Sequence, residues 1–153
     1  MSDPLHHLRV LHNNPFIFAA AFTTFFQSLG EKERGFLFAY LVLPMTLYPP
    51  SREFLQKAKI TSSIRTMLKE RKRIYGLEER VTRYRDMTNT TIQYLQDAGN
   101  LAFGDQLTIS VAEQQSVGTP SPEGVVKAAQ RLAVLFRPYD VPTVFRMLGV
   151  MSL

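Results

Sequence analysis

Leu77, Val81, Tyr84, Thr88, Thr91, Leu95 and Ala98 recur at alternating steps of four and three residues. That spacing lays one stripe along an α-helix and predicts a long, packed helix. Glu78 and Glu79 suit its first turn, where the helix dipole favours negative charge. Gly99-Asn100 closes it. Leu101-Ala102-Phe103, the turn pair Gly104-Asp105, and residues 106–111 follow directly. In the last of these Leu107, Ile109 and Val111 alternate with polar residues, the pattern of a β-hairpin. A long helix running into a hairpin restricts the chain to a mainly α fold with a small β element.

The elements on either side read as helices. Thr61 or Ser62 caps a helix that runs to Tyr75, with Gly76 just beyond. Its core face is Ile64, Met67, Leu68 and Tyr75, and Arg65, Lys69, Lys72 and Arg73 share the opposite face. Helix, helix and hairpin over about residues 60–111 form the outline of a winged helix, a module that binds nucleic acid or docks on protein. Ahead of it, Asn13-Asn14-Pro15 opens a very apolar helix containing Phe16, Phe18, Phe22, Phe25, Phe26 and Leu29, with Gly30 as its C-cap. A second buried helix starts at Phe36 and is bent or ended by Pro44. Leu47-Tyr48-Pro49-Pro50 connects to a short helix, capped by Ser51, that reaches Ala58. After the hairpin, residues 112–124 form a loop. Ser121-Pro122-Glu123 then opens a helix with the core face Val126, Ala129, Leu132, Ala133 and Phe136. Asp140 to Leu148 is a last short helix closed by Gly149. Residues 1–12 read as an N-terminal arm, and 13–153 as one domain with winged-helix-like centre and flanking N- and C-terminal helices.

The charge of the chain is unevenly placed. Residues 52–85 hold eleven of the 18 Lys and Arg but only four of the 13 Asp and Glu, so this segment is +7 within a net +5. Arg65, Lys69, Lys72, Arg73, Arg80, Arg83 and Arg85 span two consecutive helices with few compensating acids. Such a field attracts phosphates and acidic protein surfaces, and these seven residues are the candidate contacts to either. The tyrosines Tyr40, Tyr48, Tyr75, Tyr84 and Tyr94 stand at core spacing and read as packing. The Phe-rich first helix carries more apolar surface than one side of a small domain usually buries. It is either a central helix or, with the arm, part of a partner interface. Phe16, Phe18, Phe22, Phe25, Phe145 and Leu148 are the candidate protein-interface residues.

Catalytic patterns are missing from the sequence. It has no phosphate-binding G-x-x-x-x-G-K, no G-x-S-x-G, no H-E-x-x-H and no cysteine. The three histidines, His6, His7 and His12, all fall in the arm, where exposure to solvent explains them better than a metal does. Asp86, Asp97, Asp105 and Asp140 are each accounted for by helix ends or turns. The expectation is a binding protein without cofactor or metal, not an enzyme. The start of the chain lacks the pattern of a signal peptide, and its longest apolar run, residues 36–45, is too short to span a membrane. A cytoplasmic protein is expected.

Four landmarks in order carry a resemblance. They are Asn14-Pro15 opening the first helix, Leu41-Val42-Leu43-Pro44 closing the second, Thr61-Ser62-Ser63 opening the third, and the closing Thr143-Val144-Phe145-Arg146-Met147-Leu148-Gly149-Val150. Over most of residues 13–150 the chain resembles the small middle component of bacterial three-component ABC systems. Ala129-Gln130-Arg131-Leu132-Ala133 and Met151-Ser152 depart from the family pattern, which leaves the subfamily open. The resemblance implies a non-catalytic bridge between an SMC-like ABC ATPase and an effector subunit, often a nuclease, in systems that include the Lamassu type and act against phage and plasmid DNA. It implies contact with double-stranded DNA through that complex, and no membrane. The alternative is a stand-alone winged-helix transcription regulator that binds a palindromic duplex as a homodimer. The acid at the Gly104-Asp105 tip argues against a DNA-reading wing.

Overall fold

The computed structural model describes residues 15–112 and 122–153. The arm with its histidines, Asn13, Asn14, most of the 112–124 loop, Ser121 and the side chain of Phe16 lie outside the described residues. The chain is mainly α with a two-stranded antiparallel hairpin. A 3-10 turn, Pro15–Phe18, leads into α1, Ala19–Leu29. A second such turn, Gly35–Phe38, leads into α2, Ala39–Thr46. Then come α3, Pro49–Gln56, and the short α4, Ile64–Leu68. A 3-10 turn at Arg71–Ile74 precedes the long α5, Leu77–Asp97. Strands β1, Leu101–Phe103, and β2, Ile109–Val111, are followed by α6, Glu123–Phe136, and α7, Val141–Leu148.

α1 is the central helix. Its largest interface is with α6, while α2 packs on α5 and α3 on α6. Ala19, Ala21, Phe22, Phe25, Phe26 and Leu29 are buried. Phe25 meets Phe26, Phe38 and Phe136 edge-on at 5.1, 6.4 and 6.2 Å. Phe38 in turn packs on Phe136 at 4.8 Å and stacks on Phe145 at 6.1 Å. Edge-to-face pairs of this kind add about 0.5–1.5 kcal/mol each beyond their area. This aromatic cluster joins α1, the lead into α2, α6 and α7 into one core.

The stripe on α5 is in place. Leu77, Val81, Thr88, Thr91 and Leu95 are buried and Tyr84 is half-buried, although Ala98, at the C-cap, is exposed. α7 opens on Asp140, whose carboxylate accepts the Thr143 N–H at 2.9 Å. It ends at Gly149, where φ is 73°. The Val150 N–H then reaches back to the Phe145 carbonyl and the Gly149 N–H to that of Arg146, the closure that a left-handed residue permits.

Four local readings need correction. The helix expected over residues 61–75 is two pieces, because Glu70 is extended with φ −116° and ψ 105°. Its cap is Ser63, in a reciprocal capping box with Thr66, while Ser62 instead closes a turn with Lys59. Tyr75, expected in the core, is 63% exposed. Pro49 and Pro50 start α3, since proline suits the first helical turn. Ser51 sits buried inside it and donates to the Tyr48 and Met45 carbonyls, so it seals the end of α2 rather than capping α3. The hairpin pairs Leu101 with Val111 and Phe103 with Ile109. Its connection is longer than the Gly104-Asp105 pair: Gln106 and Leu107 are both left-handed, with φ 56° and 57°.

Candidate interaction surfaces

The seven cations singled out from the sequence divide by environment. Arg65, Lys69, Lys72 and Arg83 are exposed. Lys72 lies 3.4 Å from Glu70, a surface pair that adds at most about 1 kcal/mol. Because the segment breaks at Glu70, these four side chains come from α4 and its C-cap, the following turn and α5. They do not line a single helix face. Lys57, Lys59 and Arg71, also exposed, extend the positive surface.

The other three cations have local work. Arg73 donates Nη1 to the Thr66 and Met67 carbonyls at 3.2 and 3.1 Å, so it satisfies the frayed end of α4. Its guanidinium lies 4.5 Å over the Phe54 ring. Arg80 is 8% exposed. It stacks 3.7 Å from the Tyr48 ring, donates Nε to the Pro44 carbonyl at 3.0 Å, and donates Nη1 to the Tyr75 carbonyl. Burial lowers its pKa, while Tyr48 and Tyr84 oppose that shift. A guanidinium so enclosed is removed from any contact surface and instead ties α5 to the α2–α3 corner. Arg85 is half-buried, and its Nε has no hydrogen-bond partner among the described residues. It faces Tyr40, whose phenol burial pushes above its usual pKa against the charge of Arg85.

Of the apolar candidates, Phe18, Phe22, Phe25 and Leu148 lie in the chain's own core. The large apolar content of α1 therefore reflects a central helix with neighbours on several sides. Phe145 is half-buried and lines a shallow apolar groove of about 300 Å³ with Arg34, Leu37, Val141, Pro142 and residues 150–153. The last segment is seated by the Met151 N–H, which donates to Glu78 Oε1 at 2.5 Å. The other end of α7 borders a second pocket, of about 260 Å³, shared with Leu68, Arg71 and Ile74. Arg71 and Arg146 here escaped the sequence reading. Arg71 lay within the basic run, but nothing in its spacing placed it beside α7.

The hairpin is held against the chain. The Arg34 N–H donates to the Gln106 carbonyl at 2.7 Å, and Phe103 packs edge-on to Phe36 at 5.0 Å. Its tip is thus fastened to the joint between α1 and α2. Among the described residues no group of three or more His, Asp or Glu side chains is arranged to hold a metal ion. None of the described helices is long and apolar enough to cross a membrane.

A family model described as ABC-three component (ABC-3C) system Middle Component 3 matches residues 2–152. The chain belongs to that family. No curated protein and no solved structure matches it. Membership of a multi-component system implies protein partners for this middle component.

Proposed function

We propose that this middle component is a non-catalytic bridging and regulatory subunit of an SMC-like ABC ATPase complex that acts on double-stranded DNA. It joins the ATPase to an effector subunit such as a nuclease, in defence of the cytoplasm against phage or plasmid DNA. The exposed cations Arg65, Lys69, Lys72 and Arg83 meet the DNA that the ATPase holds, and the α7 end of the molecule meets protein. The observation that carries this reading is the family match along almost the whole chain, joined to a positive surface without an equal number of acids. The competing reading, a free-standing regulator, puts the helix before the hairpin in the major groove and sets the hairpin against the duplex as a wing. The Arg34–Gln106 bond and the acid at Asp105 weigh against it.

The test is co-purification with the ABC component of its own system at low salt and at ~0.5 M salt, where backbone electrostatics are screened. Recovery of the ATPase in both conditions supports a bridge anchored by apolar contacts. Recovery of DNA alone, lost at high salt, overturns the bridge in favour of a free DNA binder.

A further inference from the structure

The pocket beside the end of α7 is built from two parts of the chain. Leu68 and Ile74 come from α4 and the turn after it; Met147, Leu148 and Gly149 come from the end of α7. The apolar side chains Leu68, Ile74, Met147 and Leu148 form most of its lining. Two arginines also line it, Arg71 from the first part and Arg146 from the second. Both arginines are exposed, and neither forms an ion pair among the described residues. Among the described residues no carboxylate lines the pocket. Arginine, planar and always charged, matches a carboxylate through two parallel hydrogen bonds.

We propose that this pocket docks a short acidic–apolar segment of a protein partner: one bulky aliphatic or aromatic side chain on the Leu68–Ile74–Met147 lining, with carboxylates beside it on Arg71 and Arg146. Charge complementarity sets the sign of the ligand, and the apolar lining sets its class. A duplex presents a convex row of phosphates and has nothing to place on such a lining, so the concavity favours peptide over DNA. Gly149 leaves the rim open, since among the described residues no heavy atom beyond its own chain neighbours lies within 4 Å of where a Cβ would stand. The inference deepens the bridging reading and rests on it for the identity of the partner, which is a component of the same system.

The test uses the full chain with methyl-labelled Ile, Leu and Met. The probe is a blocked pentapeptide of alternating glutamate and leucine, compared with its glutamine analogue, inorganic phosphate and a short DNA duplex. Expected are shifts of the Met147, Leu68 and Ile74 methyl signals on adding the acidic peptide. Binding should weaken at least ~5-fold with the glutamine analogue and in the Arg71→Ala/Arg146→Ala variant, the loss expected when charge-assisted bonds are removed. Equal shifts with phosphate alone would reduce the pocket to an anion site and overturn the proposal. So would shifts with duplex but none with peptide, or binding indifferent to the arginines. The same variant is then co-expressed with the ABC component and the effector. If the complex survives intact while the wild-type chain also assembles, the pocket is refuted but bridging stands. If the wild-type chain assembles with neither, bridging fails, and the peptide titration still reads the pocket independently.

Discussion

Lys32 and Arg137 close each other's helices. Lys32, just past α1, donates Nζ to the Arg137 and Tyr139 carbonyls at 3.0 and 2.8 Å, at the end of α6. Arg137, the C-cap of α6, donates Nε to the Ser28 carbonyl at 3.1 Å, in the last turn of α1. Both cations sit where a helix dipole is negative and carbonyls lack partners. The central helix pair is thereby fastened at one end by two reciprocal clamps. Lys32→Met and Arg137→Met should each destabilise by about 1 kcal/mol. The double variant should lose measurably less or more than the sum, because the two clamps share one joint. Urea unfolding of the four proteins in the cycle checks this; strict additivity would show that the clamps act independently.

Arg80 is expected to behave as a structural residue. Arg80→Met removes the donor from the Pro44 and Tyr75 carbonyls and the cation from Tyr48, at a cost of about 2–3 kcal/mol. Exposed Arg83→Ala should stay within about 0.5 kcal/mol of the parent. Thermal unfolding separates the two. An Arg80→Met protein as stable as the parent would remove Arg80 from the framework.

Charge reversal at Lys69, Lys72 and Arg83 together should lower duplex affinity at least ~10-fold at low salt. It should also reduce the slope of log affinity against log salt by about 3, one for each phosphate no longer neutralised. Fluorescence anisotropy over a salt series reads both quantities. An unaltered slope would mean that the positive face meets protein instead.

Asp140 gives a pH signature. Its hydrogen bonds with Thr143 hold its carboxyl below the usual value of 3.8. A depressed folded-state pKa contributes stability that is present above the unfolded-state value and is lost as pH falls through the folded one. The urea midpoint of the parent should therefore fall more steeply than that of Asp140→Asn as pH drops from above to below the usual carboxyl value of 3.8, since the amide also caps but does not titrate. Parallel curves would rule out a contribution from this cap.

Local patterns made the regular elements readable. The α5 stripe, the Asp140 and Gly149 caps and the pairing half of the hairpin all follow from spacing and turn chemistry within a few residues. The break at Glu70 was hidden because Lys69, Glu70 and Arg71 all favour helix. What ends α4 is Arg73 turning back onto its carbonyls and onto Phe54, a residue from another helix. The burial of Arg80 is hidden from local pattern for a related reason. Arginine is seldom buried unless its donors are matched, and here an acceptor is the Pro44 carbonyl, 36 residues earlier in the chain. The candidate site was legible as a charge but not as a shape. That Arg71 and Arg146 line one pocket depends on how α7 packs, which no local pattern encodes.

The pairing of α1 with α6 also constrains how the protein is made. Ser28 and Arg137 meet across 109 residues, and the aromatic face of α1 finds Phe136 only after α6 has been synthesised. Until α6 leaves the ribosome, Phe22, Phe25 and Phe26 have no complete shelter, and exposed apolar surface of that kind is what chaperones bind and what aggregates. A ribosome stalled before residue 123 would thus hold a sticky nascent chain, and the synthesis of α6 would act as the folding trigger.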